Sequence, residues 1–197
     1  MSEAPNGLDE QAKEAVQENE YSRLATLRTA GAIALLTVMA ALAGEAALHE
    51  SPTFDEIAHI GAGLSYADKL DTRFNPEHLP LEKLLSGVFM KLGSVRADYG
   101  SPQWTVGATF PASLLCEWVF GDWVLFHWND PHKVLFWARL PMLLITLVLG
   151  WAIYWTASRL GGSWAGFLCL SIYITTPTFL TFGPLVLTDI PIALFHC

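Results

Sequence analysis

Three stretches of the chain are apolar almost without interruption: residues 29–48, 133–157 and 164–182. Each approaches the roughly 20 residues an α-helix needs to cross the hydrocarbon core of a bilayer. The pattern predicts three membrane-spanning helices, with a tight turn at Gly161-Gly162-Ser163 joining the second to the third. Segment 183–197 then turns through Gly183-Pro-Leu-Val-Leu-Thr-Asp-Ile-Pro191 and starts a fourth apolar run that stops at Cys197. A run of about seven residues spans nothing, so the chain reads as the N-terminal portion of a longer protein. Segment 1–28 is rich in Glu, Gln, Asn and Ala without periodic apolar positions, the pattern of a disordered tail. It is too long and acidic to be a secretory signal.

Loop 49–132 is too long for a simple connector. From Asp55 to Lys69 the positions Ile57, Ile60, Leu64 and Ala67 follow helical spacing and predict a short surface helix. Pro80 suits the first turn of another helix. There Leu81, Leu84, Leu85, Val88, Phe89 and Leu92 form one apolar face opposed by Glu82, Lys83 and Lys91. A helix so patterned is expected to lie in the membrane interface. Residues 94–111 are punctuated by Gly and Pro and read as irregular. Between 114 and 128, Trp118, Phe120, Trp123, Phe126 and Trp128 make an aromatic band suited to the headgroup level.

Composition sharpens this picture. The chain is 52% hydrophobic and 15% charged, against about 25% charged in soluble domains. Its net charge of −8 owes much to six acids within the first 20 residues, so it says little about partners. Arg23 and Arg28 precede the first span and Arg159 follows the second, while Glu45 and Glu50 lie at the opposite end. Basic flanks stay cytoplasmic, which puts the N-terminus inside and loop 49–132 outside. The 11 Lys and Arg form no basic stripe, which excludes nucleic acid as a partner. Cys116, Cys169 and Cys197 are scattered and read as small core hydrophobes.

The chemistry is concentrated in Ser51-Pro-Thr-Phe-Asp-Glu-Ile-Ala-His59 and Asn75-Pro-Glu-His-Leu-Pro-Leu-Glu-Lys-Leu-Leu85. Asp55 is either a chemical acid or a cap or first-turn residue of its helix. Arg139 stands inside an apolar span, where an arginine is expensive and calls for a partner, unless it snorkels to the interface. Glu77 and His78 fit a metal site or an ordinary turn. The run from Asp55 to His59 is superficially similar to a zinc-protease helix. An Asp replaces the first His and no third ligand is evident, so that reading is discounted.

The Asp55-Glu56 pair after the first span, followed by Asn-Pro-Glu-His-x-Pro-Leu-x-Lys, resembles the first external loop of GT-C glycosyltransferases. The likeness is to the branch holding the dolichyl-phosphate-mannose protein mannosyltransferases and the bacterial lipid-A aminoarabinose transferases. Ala138-Arg-Leu-Pro141 and Leu187-Thr-Asp189 resemble the same pattern, which departs at Leu79 and Glu82. The resemblance implies an all-α, multi-pass bundle in the bacterial cytoplasmic membrane, its external loop carrying amphipathic interfacial helices. The implied reaction transfers a sugar from a polyprenyl-phosphate donor to a hydroxyl of protein, lipid or glycan on the external face. Asp55 is then the base, Glu56 its orienting neighbour and Asp189 a second acid. Lys83 and Arg139 contact the donor phosphate, His78 contacts substrate, and Glu77 is the position for a divalent metal, should one be required. Two rivals stand beside this reading. One is a truncated or degenerate relative without catalysis, acting as an interaction module. The other is a transporter using Glu45, Arg139 and Asp189; transporters place such groups near the midplane, whereas these acids cluster at one face.

Overall fold

The structure is a computed structural model that describes residues 7–76, 80–109 and 116–196. All regular structure among the described residues is helical: α1 (Gly7–His49), α2 (Phe54–Lys69), α3 (Pro80–Leu92), α4 (Pro102–Thr109), α5 (Cys116–Asp122), α6 (Pro131–Thr175), α7 (Pro177–Phe182) and α8 (Asp189–Phe195), with a π-helical turn at Trp123–His127. Among the described residues, two helices are long and apolar enough to cross a membrane, Val16–His49 and Pro131–Thr175.

Helix α1 begins at Gly7, well inside the tail that the sequence pattern left disordered. No Gly or Pro falls between Leu8 and Ala30, and Glu, Gln, Ala, Leu, Lys and Arg are good helix formers. Once the apolar span is helical, extending it backwards needs no new nucleus. Residues 16–30 are solvent-exposed all round, so local propensity rather than packing maintains this part.

Helix α6 is interrupted at Gly162, whose φ of 79° and ψ of 172° are not helical. A positive φ is accessible to glycine at little cost, and here it folds α6 back on itself. Contacts step antiparallel along the two arms. A Cβ on Gly166 would meet Ser158 and Tyr154, one on Gly150 would meet Tyr173, and Tyr173 Oη donates to the Thr146 carbonyl at 2.9 Å. The returning arm is not continuous through 182. It stops at Thr176, extended at φ −76° and ψ 117° before Pro177, and restarts as α7. Proline clashes with a helical conformation in the residue before it, which accounts for the break. The Thr146 hydroxyl then donates to the Gly183 carbonyl at 2.7 Å, holding the turn after α7 against the first arm.

The loop folds around α2, which is the opposite of a surface helix: residues 58–66 are buried throughout. Small residues explain this. A Cβ on Gly87 would fall 1.9 Å from the Gly63 carbonyl oxygen, and one on Gly121 would fall 2.0 Å from that of Ile57. Helices α3 and α5 therefore approach the backbone of α2 closely. Helix α3 is amphipathic as expected, with its faces reversed relative to a soluble helix. Glu82, Lys83, Ser86, Gly87 and Met90 turn inward, while Leu81, Leu84, Val88 and Leu92 are exposed. Residues 94–111 are not wholly irregular, because Ser101-Pro102 starts α4, with the Ser101 hydroxyl accepting from the Trp104 amide at 3.4 Å. The aromatic band is also partly core. Phe120 is fully buried, its ring centroid 5.0 Å from Phe74 and 5.4 Å from Trp104, and among the band's described large apolar residues only Val119 and Phe126 are exposed.

Candidate functional site

The first turn of α2 is built by a capping box. The Thr53 hydroxyl accepts from the Glu56 amide, and the Glu56 carboxylate accepts from the Thr53 amide, each at 3.4 Å. Such reciprocal pairing satisfies two amides that a helix start otherwise leaves unpaired. Asp55, between the two partners, is a first-turn acid with an exposed side chain; the cap itself is Thr53. Neighbouring acids thus have opposite settings. Glu56 is 0% exposed.

What Glu56 faces is Arg139, itself 2% exposed. Arg139 Nε donates to Glu56 Oε1 at 2.9 Å and Nη2 to Oε2 at 2.6 Å, a two-pronged pair. Nη1 donates to the carbonyls of Ala47 at 2.5 Å and Glu50 at 3.0 Å, and Nη2 to that of Ser51 at 3.4 Å. A guanidinium has five N–H donors, and all five are used. Ala47 lies in the last turn of α1 and Glu50 and Ser51 directly follow it, where carbonyls lack intrahelical partners and a cation is favoured. The carboxylate is equally occupied, since Glu56 Oε1 also accepts from the Val186 amide at 3.2 Å. His59 Nδ1 lies 2.8 Å from the Val186 carbonyl oxygen. One buried ion pair therefore ties together α1, α2, the first arm of α6 and the segment preceding α8.

This places the sequence-predicted residues in three groups. Asp55 and Asp189 are exposed, each in the first turn of its helix, on segments joined through Glu56 and Val186. Glu56 and Arg139 lie at the junction itself and have no unused polar atom to offer a substrate. Lys83 lies elsewhere in the loop and is 0% exposed. Its ammonium donates to Asn75 Oδ1 at 2.8 Å and to the Asn75 carbonyl at 3.1 Å, with Glu82 Oε1 3.8 Å away. Burial lowers the Lys83 pKa from its ordinary 10.5, opposed by the charges of Glu82 and Glu117. Tyr66 donates to the carbonyls of Phe74 and Asn75, the second at 3.1 Å, and burial followed by the charge of Glu82 pushes its pKa up to about 12. Asn75 has φ 53°, a conformation Asn tolerates better than most residues. Glu77 and His78 lie outside the described residues, and so does any metal assignment to Glu77. Among the described residues no group of three metal-ligating side chains occurs.

Glu45 pairs with His49 at 3.0 Å on the exposed surface of α1, whereas Arg139 is held by Glu56. Tyr66 escaped the sequence reading, and Thr53 and Asn75 fell within its motifs without being given a role. Thr53 had a signal, a Thr three residues before a Glu at a helix start. An apolar recess of about 90 Å³ opens between α1 and α6, lined by Gly44, Ala47, Leu48, Phe136, Leu140 and Leu143, with Arg139 at its edge.

No family model matches the chain, and no curated protein or solved structure is detectably similar to it.

Proposed function

We propose that the chain belongs to a membrane glycosyltransferase that uses a polyprenyl-phosphate sugar and has Asp55 as its base. The observation supporting this is the contrast within one helical turn. Glu56 is consumed by the scaffold, and that same scaffold holds Asp55 in solvent, on a segment tied to the one carrying Asp189. In the reaction, the acceptor oxygen attacks the anomeric carbon as Asp55 removes its proton. The carbon–oxygen bond to phosphate breaks, and polyprenyl phosphate leaves with the electron pair. A positioned base of this kind contributes roughly 10²–10⁴-fold. Asp189 assists in holding the acceptor.

Arg139 and Glu56 enter this scheme as positioning residues. The donor phosphate takes its contacts from other groups. The donor's isoprenoid chain gains lateral access from the recess between α1 and α6, and the outward leucines of α3 lie in the bilayer interface. The antiparallel return of α6 supports the third span, 164–182, and the GT-C architecture would require further helices beyond these.

The test is sugar transfer from a labelled polyprenyl-phosphate donor by the full natural protein in membranes. Asp55→Asn and Asp189→Asn should each lower transfer while leaving insertion and thermal stability unchanged, Asp55→Asn by at least ~10²-fold. Full activity in Asp55→Asn overturns the assignment.

A further inference from the structure

At the end of the bundle away from Asp55, α1 and the returning arm of α6 touch at Gly31, where an added Cβ would come within 3.2 Å of the Phe167 ring. One turn towards the Gly162 bend they part. The groove between them has a volume of about 450 Å³ and is lined by Leu24, Leu27, Arg28, Ser163, Trp164 and Phe167. Its character is divided. Leu24, Leu27 and Phe167 line it with hydrocarbon, Arg28 supplies a cation, and Trp164 is 89% exposed at its edge. The groove lies where the apolar run of α1 begins, so in a bilayer it sits at the boundary between headgroups and chains.

From this we infer that the groove binds an anionic phospholipid, its headgroup on Arg28 and an acyl chain along Leu24, Leu27 and Phe167. The charge is complementary: Arg28 is an exposed guanidinium suited to a phosphate. The walls explain why the ligand is a lipid and not a free phosphate, since an inorganic ion would leave the leucines and Phe167 uncovered. Trp164 fits the same depth, because indole rings favour the headgroup level. Arg159, stacked on Trp155 at 5.2 Å just before the bend, adds to the positive character of this end. The inference rests on the membrane-spanning reading and is independent of sugar transfer.

Native mass spectrometry of the delipidated full chain, titrated with phosphatidylglycerol or phosphatidylcholine, tests it. The expected result is preferential retention of phosphatidylglycerol, reduced roughly fivefold in Arg28→Gln and unchanged in Arg23→Gln, an exposed arginine on the same helix that does not line the groove. Phe167→Ala should weaken both lipids, and inorganic phosphate should not displace the bound lipid. Equal retention of the two lipids, equal losses in the two arginine variants, or displacement by inorganic phosphate would each overturn the proposal.

Discussion

The two ends of the helical bundle manage charge in opposite ways. At the loop end, an arginine and a glutamate are buried together, and every donor of the arginine has a partner. At the bend end, Arg23, Arg28 and Arg159 are exposed. The first arrangement fixes four segments in one geometry and leaves no unsatisfied group for a ligand. The second leaves a cation available beside an apolar groove. A buried charge with a complete set of partners reads as scaffold, whereas an exposed charge beside uncovered hydrocarbon reads as a place for something else. The same distinction separates Glu56 from Asp55, one residue apart.

The largest expected effect comes from breaking the scaffold. Arg139→Ala leaves Glu56 buried and unpaired and should cost roughly 3–5 kcal/mol, seen as a large fall in thermal stability in detergent. Pairing Glu56→Met with Arg139→Leu should recover much of that loss, because both charges leave together. A double variant as unstable as the single one would show that the carbonyl bonds, and not the ion pair, hold the junction. Next in size is Gly87→Ala, which forces α3 away from the Gly63 carbonyl and should cost about 1–3 kcal/mol by the same assay. Thr53→Ala removes the cap of α2 at about 1 kcal/mol. It should lower transfer as well as stability if the first turn positions Asp55.

The smallest effect sharpens the contrast with Lys83, whose neighbours include the amide and carbonyl oxygens of Asn75. Its pKa is depressed on folding, so the unfolded chain binds more protons between that depressed value and 10.5. Stability should therefore rise with pH across this window. Lys83→Met should flatten the rise in a pH series of unfolding midpoints, and an unchanged slope would assign it to another group.

Part of this was legible in the residues. Arg139 inside an apolar span demanded a partner, and Gly161-Gly162 announced the bend. Which acid would answer Arg139 was not legible. Glu50, Asp55 and Glu56 lie within seven residues on the sequence, and only the capping box at Thr53 turns Glu56 inward and Asp55 outward. The pattern in α3 revealed two unlike faces without saying which faces the protein. In the fold the apolar face turns outward, and the small residues Gly87 and Gly63 let the polar face pack. Phe120 was misplaced for a related reason, since an aromatic at the headgroup level and one in a core have the same sequence signature.

The proposed role of Asp55 is chemistry on a scaffold built by Glu56. It is tested most directly by measuring sugar transfer and thermal stability together in Asp55→Asn. The expected result is a protein as stable as the parent with transfer reduced at least ~10²-fold. Undiminished transfer at unchanged stability would contradict it.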